Sequence, residues 1–468
     1  EPSMNGRRIY WPRGKTLGGS SAINGLIYMR GQREDYDHWR ASGNIGWGYD
    51  DVLPYFIRSE HNQRGGNAFH GADGPLLVSD IVPKHPLIEA FIDGATTLGI
   101  PRNDDFNGAT QEGAGYFQLT TWRGWRCSAA DAYLKPVRRR ANLRIETQAH
   151  ATRLVLEGRR AVGVEYRQSG RDLRARCTRE VLLAAGAIQS PQLLQLSGIG
   201  PAPLLAQHGI EVVHDMPGVG ENLQDHLQIR LIYECSRPIT TNDELRSLYG
   251  RAKIGMQWIV ARRGPLAVGI NQGGCFMRAL AESRTPDIQF HVATLSADMA
   301  GGAVHPFSGF TLSICQLRPE SRGRVAIKSR DSFEPPSMQP RYLTTELDRR
   351  TTVAGMRAAR AIAQSAPMRP FVRREVKPGE IAEDDAALLE YARDNGATIF
   401  HPSGTCKMGN DAMAVVDARL RVHGVGGLRV VDCSIMPLLV SGNTNAPAVM
   451  IGEKAVDMIR EDQRHART

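Results

Sequence analysis

Two uncommon runs in the chain hold side chains able to work on an alcohol. The first is His401-Pro402-Ser403-Gly404-Thr405-Cys406, and the second is Ser441-Gly442-Asn443-Thr444-Asn445-Ala446-Pro447. An imidazole with a pKa of about 6.5 can take a proton near neutral pH. A carboxamide can hold the same oxygen by a hydrogen bond. Beside a hydride acceptor, such a pair would strip the hydroxyl proton and steady the oxygen while the α-carbon gives up hydride. The reading pairs His401 with Asn445.

The acceptor needs a place to lie. Gly14-Lys15-Thr16-Leu17-Gly18-Gly19-Ser20-Ser21-Ala22-Ile23-Asn24-Gly25 has paired glycines that let backbone approach a flat or anionic ligand. Its serines are suited to cap a helix start, where free N–H groups hold phosphate. In the second run Asn443, Thr444 and Asn445 are capping residues, and Pro447 suits a first helical turn. The positive end of that helix would stabilise the negative charge of a reduced flavin.

Elements to position these runs are legible. Helices are expected over Asp51–Glu60, Pro86–Leu98, Ser190–Ser197, Leu347–Ile362, Ala386–Asn395 and roughly Ala446–Arg460. Strands are expected at Leu143–Thr147, Ala151–Glu157 and Ala161–Gln168, where apolar and polar residues alternate. Val181–Gly186 is a continuous apolar run, as in a parallel strand buried on both faces. Pro286–Val292, Gly309–Gln316 and Gly323–Lys328 suggest an antiparallel sheet, and Leu428–Asp432 a last strand.

Composition narrows the class. The 468 residues are 41% hydrophobic and 23% charged, an ordinary globular balance with length for two or three domains. The net charge of +9 comes without the spacing of a nucleic-acid module, and Arg138-Arg139-Arg140 reads as a solvated face. No apolar run is long enough to span a bilayer. The start, Glu1-Pro2-Ser3-Met4, lacks signal-peptide character, and seven scattered cysteines suit reduced thiols, so a cytoplasmic location is expected. No His/Cys/Asp group has metal-ligand spacing. Of the remaining candidates, His226 reads as structural, His423 as a turn residue and Cys406 as core.

Five motifs in order resemble the glucose–methanol–choline oxidoreductase family. They are Gly14–Asn24 with Tyr28, Gly31 and Asp37; Gly186–Gly200; Pro217–His226; Val430–Pro437; and Gly442–Pro447. The likeness is strongest to the family's bacterial alcohol and choline dehydrogenases. It implies an α/β (α+β) fold with a Rossmann-like FAD domain and a substrate domain built on an antiparallel sheet flanked by helices. The implied segments are 1–230, mainly FAD-binding; 231–402, substrate-binding; and 403–468, returning to complete the FAD domain and active site. By the same likeness His401 is the base and Asn445 its partner. Gly18, Gly19, Ser20, Asn24, Gly25, Leu26 and Ile27 touch FAD, Ala151 meets the adenine, and Asp432, Cys433, Asn445 and Pro447 line the flavin.

The resemblance further implies non-covalent FAD, because Ile23 occupies the place where some relatives carry a flavin-linking histidine. A primary alcohol is the implied substrate and a quinone the acceptor, with association at a membrane surface compatible. Two departures stand out. No Gly-x-Gly-x-x-Gly occurs, so the family's opening βαβ unit is expected to be missing and the chain to be a fragment. Gln272 stands where choline-specific relatives carry a glutamate, which argues against choline. The alternatives are a lyase of this fold that keeps FAD for structure, cleaving cyanohydrins with the same histidine, and an inactive fragment without bound FAD.

Overall fold

A computed structural model describes residues 1–299, 301–381 and 384–465. Its largest sheet has seven strands. Along one path the order is Val372–Lys377, Leu227–Cys235, Gly309–Gln316, Ile288–Ala293, Asn271–Met277 and Gly113–Tyr116, with Ala397–Thr398 also pairing to Leu227–Cys235. The pairings are antiparallel, as the sequence pattern implies.

The two faces of this sheet differ because side chains alternate along each strand. Ile229, Leu231, Phe290, Val292, Leu312 and Ile314 point into one core, packed by the helices Pro86–Thr97 and Glu346–Ala363. Fully burying such a side chain contributes about 1.5–3 kcal/mol. The intervening residues, among them Gln228, Arg230, Gln289, His291 and Ser313, occupy the opposite face. That polar face looks toward the rest of the molecule.

A second core lies beneath the closing helix Asn445–His465. Met450, Ile451 and Ala455 pack there with Tyr36, Trp39, Trp47 and Phe56. Both indoles also donate across the chain, Trp39 to the Leu438 carbonyl at 2.9 Å and Trp47 to that of Ala418 at 2.8 Å. Such bonds tie the first sixty residues to the last seventy.

Several sequence expectations need correction. Residue 230 falls inside the strand Leu227–Cys235, so it is no domain boundary. Pro86–Thr97 and Gly113–Tyr116, assigned to the FAD half, belong to the antiparallel sheet and its helix layer. Their apolar spacing reveals the elements but not their distant partners. Leu143–Thr147 forms no strand and is mostly exposed. Among the described residues the strand Val181–Leu183 pairs only with Leu428–Val430, in parallel, and Leu182 is 49% exposed rather than buried. Among the described residues, no helix is long and apolar enough to cross a membrane.

Candidate active site

A cavity of about 1770 Å³ runs between the glycine loop, the polar sheet face and the start of the closing helix. Its wall includes residues 184–187 and 432–433, just beyond the carboxyl ends of the two parallel strands. That is where α/β sheets bind ligands.

His401 reaches this cavity from a tight turn. Phe400 adopts a left-handed backbone with φ of 69°, uncommon for a bulky residue. The turn is held from both sides: Thr398 Oγ1 accepts the Phe400 N–H at 2.8 Å, and Asp225 Oδ1 accepts the His401 N–H at 2.7 Å. Asp225 also receives the Tyr342 hydroxyl. Burial raises its carboxyl to about 6, against the lowering effect of these hydrogen bonds.

The side chain of His401 lies in a directional hydrogen-bond chain. His226 Nε2 is 3.0 Å from the Leu317 carbonyl, which can only accept, so His226 carries its proton there. The other His226 nitrogen, Nδ1, is then bare in the neutral ring and accepts from His401 Nδ1 at 3.0 Å. Neutral His401 therefore keeps its lone pair on Nε2, which faces Asn443 Nδ2 at 3.2 Å. Asn443 is oriented in turn, since its Oδ1 accepts from Gln289 Nε2 at 3.1 Å. Burial lowers His226 to about 4. It also holds His401 well below its ordinary value, with further lowering from His226, His291 and Arg13.

The loop carrying Asn443 is anchored beneath. Asp35 accepts the Ser441 N–H at 2.7 Å and its hydroxyl at 2.8 Å, and Gln111 Nε2 donates to the Ser441 carbonyl at 2.8 Å. The amide that meets His401 is thus Asn443, and the pairing with Asn445 is corrected. Asn445 begins the closing helix two residues later and lines the same cavity. The helical turn separates two asparagines that the sequence presents side by side.

His291 completes the group. It is wholly buried, lines the cavity, and among the described residues has no hydrogen-bond partner on either ring nitrogen. Burial, reinforced by His226, pushes its pKa down to about 3. Asn443 lies near enough to oppose that shift but not in bonding geometry. His226, expected to be structural, is the hydrogen-bond partner of His401, and His291 and Gln289 carry no expectation in the sequence. Their signal was present in the motif ending at His226 and in polar residues alternating along a strand.

The remaining expected residues divide clearly. Gly18, Gly19, Ser20, Asn24, Gly25, Leu26, Ile27, Asp432 and Cys433 all line the cavity. Pro447 is buried in the first turn of the closing helix and lies outside that lining. Ala151 sits on an exposed face of the strand Ala149–Glu157, also outside the lining. Gln272 points toward Thr294 Oγ1 at 3.5 Å and is no cavity residue either. Among the described residues no cluster fit for a metal ion exists.

The cavity suits a flat dinucleotide. A β-carbon at Gly19, Gly25, Gly186 or Gly452 would meet no atom within 4 Å, so bare backbone faces the space at these points. Gly18 and Gly19 both have positive φ, at 89° and 56°. The glycine loop is braced by Arg126, whose Nη1 donates to Asn24 Oδ1 at 2.6 Å. Farther along, Arg140 and Arg460 bring positive charge to the wall, complementary to phosphate. Arg138, Arg139 and Arg140 are all exposed, as expected for a solvated face.

Sequence models of the family described as GMC oxidoreductase match residues 2–228 and 319–452. An oxygen-dependent choline dehydrogenase from Brucella anthropi is 44% identical over 462 residues, covering 98% of this chain and 84% of its own length. An alcohol dehydrogenase [acceptor] from Pseudomonas putida is 43% identical over 461 residues, covering 97% and 83%. Among solved structures, pyridoxine 4-oxidase from Mesorbium loti superposes with a TM-score of 0.88 at 32% identity, covering 98% of this chain and 86% of that one. The formate oxidase of Aspergillus oryzae RIB40, studied for its FAD modification, gives 0.90 at 26% identity, covering 97% and 85%. With FAD as its cofactor, the chain belongs to the glucose–methanol–choline (GMC) oxidoreductase family.

Proposed function

We propose that the protein oxidises a primary alcohol to an aldehyde, with His401 as the base and Asn443 as the group that holds the substrate oxygen. The observation that carries this reading is the 3.2 Å approach of Asn443 Nδ2 to His401 Nε2 at the cavity wall. A substrate hydroxyl placed between them donates to Nε2 and accepts from the amide. The depressed pKa keeps His401 unprotonated at neutral pH, so it is ready to take that proton. The His226 bond fixes which nitrogen does so. Bound FAD supplies the hydride acceptor.

Asn445 and the start of the closing helix bring partial positive charge to the cavity. Ile23 lines it with a hydrocarbon side chain that offers no nucleophile, which supports non-covalent FAD. Acid precipitation should therefore leave the yellow colour in the supernatant; colour retained in the pellet would refute that point.

The electron acceptor in this reading is a membrane quinone. The helix Leu248–Ala261 leaves Leu248, Tyr249, Met256, Ile259 and Val260 exposed, and Leu266 continues this surface at the cavity wall. Residues 248–270 contain Arg251, Lys253, Arg262 and Arg263 and no Asp or Glu. Apolar groups flanked by cations suit an anionic bilayer surface. All seven cysteines are unpaired, consistent with a cytoplasmic protein that docks on that surface.

The deciding experiment is an anaerobic panel of primary alcohols on the FAD-loaded protein. Bleaching of the flavin absorbance supports oxidation, and absence of bleaching with cyanohydrin cleavage would establish the lyase instead. His401→Ala should keep the yellow spectrum and lose turnover by about a hundred- to ten-thousandfold.

A further inference from the structure

We infer that the substrate is an alcohol bearing an anionic group, a carboxylate or phosphate, which seats against Arg230 while its hydroxyl lies at His401 and Asn443. This rests on the alcohol-oxidising reading above and gives that substrate a chemical class.

The sheet register supplies the geometry. Arg230 stands opposite Ser313, and Ser313 opposite His291, so the three share one face across three neighbouring strands. Strands lie about 4.8 Å apart, which places Arg230 roughly 10 Å from His291 along the backbone row. Both Arg230 and His291 line the cavity. His291, buried and without a hydrogen-bond partner on either nitrogen among the described residues, marks the same face as one that meets a ligand.

Charge supplies the chemistry. The cavity's carboxylates, Asp432 and Glu453, are both engaged. Asp432 accepts from the Gly186 and Ser434 N–H groups and the Ser190 hydroxyl. Glu453 receives Arg58 at 2.8 Å and the Tyr133 hydroxyl at 2.9 Å. Among the described residues no carboxylate lies within ion-pair distance of Arg230, whose Nη1 donates to the Asp298 main-chain carbonyl at 3.1 Å. The Asp298 carboxylate itself is taken by Lys377 at 2.5 Å and His305 at 3.3 Å. A half-buried guanidinium without a carboxylate partner gains from an incoming anion. A quaternary ammonium would meet a like charge there.

The test compares 4-(hydroxymethyl)benzoate, benzyl alcohol and choline by anaerobic flavin reduction, using wild type, Arg230→Gln and Arg230→Lys. The wild type should prefer the anionic alcohol over benzyl alcohol in kcat/KM, with choline last. Arg230→Gln should shrink that preference by about ten- to a hundredfold, chiefly through KM, the cost of one charged hydrogen-bond pair. Arg230→Lys should restore part of it, because charge returns without the guanidinium fork. Binding of 4-methylbenzoate, which has no hydroxyl, is followed in parallel by calorimetry and should weaken in Arg230→Gln. Equal preference for all three alcohols in the wild type, or 4-methylbenzoate binding unaffected by Arg230→Gln, would overturn the inference. If no alcohol bleaches the flavin while 4-methylbenzoate binding still depends on Arg230, the anion subsite stands and the oxidation reading falls.

Discussion

His226 and His401 face each other through their Nδ1 atoms at 3.0 Å, and only one of these nitrogens can carry a proton. The Leu317 carbonyl beyond His226 decides which. Removing the acceptor leaves His401 free to move its proton to Nε2, where it can no longer serve as base. His226→Phe should therefore lower kcat by about ten- to a hundredfold, less than loss of the base itself. His226→Gln offers a carbonyl acceptor in a similar place and should recover much of that loss. A purely structural role would give equal losses in both variants, with flavin content falling alongside activity.

The two asparagines of the second run make separable predictions. Asn443 touches His401, so Asn443→Ala should cost about a hundred- to a thousandfold in kcat, as for a lost oxyanion donor. Asn445 starts the closing helix, and Asn445→Ala should act mainly on how tightly FAD is held. Anaerobic reduction rates and flavin content, measured on both variants, separate these outcomes. The assignment fails if Asn445→Ala has the larger effect on the rate of flavin reduction.

How much of this was legible beforehand follows physical scale. Helices such as Glu346–Ala363 and strands such as Gly309–Gln316 show in local periodicity, and the structure places them within a residue or so of expectation. The glycine loop and His401 were legible because unusual runs betray themselves. What local pattern could not supply was pairing at a distance. Gly113–Tyr116 joins the large sheet only because Asn271–Met277 offers it an edge. His226 looked structural because its partner stands 175 residues away. Asn443 and Asn445 are alike in chemistry, and only the turn into the helix tells which one faces the imidazole.

Membrane docking makes a third prediction. The helix Leu248–Ala261 should carry the protein onto vesicles containing anionic phospholipid and leave it in solution with neutral vesicles at moderate salt. Replacing Ile259 and Val260 by serine should weaken sedimentation with vesicles, and replacing Arg262 and Arg263 by glutamine should raise its salt sensitivity. Ile259, Val260 and Arg263 are exposed, so changes there should move the melting temperature little, whereas Arg262 lies over the Trp125 and Trp258 rings and its loss should lower it slightly. Protein that pellets equally with neutral and anionic vesicles would contradict the charge argument. Protein that pellets with neither would contradict docking altogether.

Stability toward acid offers the last prediction. His226 and His291 have folded-state pKa values near 4 and 3, and His401 is also held low, chiefly because burial disfavours the imidazolium. An unfolded histidine titrates at about 6.5. Above that value neither state binds the proton and the shift costs nothing. As pH falls below it the unfolded chain is protonated first, and stability drops until the folded values are reached. Asp225, raised to about 6 by burial, works in the opposite sense, since it stays protonated in the folded state after the unfolded carboxyl has ionised. Three histidines outweigh one aspartate, so the urea midpoint should fall between pH 7 and pH 5. His291→Phe removes one titrating group, with Phe117 beside it to receive the new ring. It should flatten the pH dependence by up to about 1.4 kcal/mol per pH unit. An unchanged slope in that variant would mean that His291 is already charged, or solvated, in the folded protein.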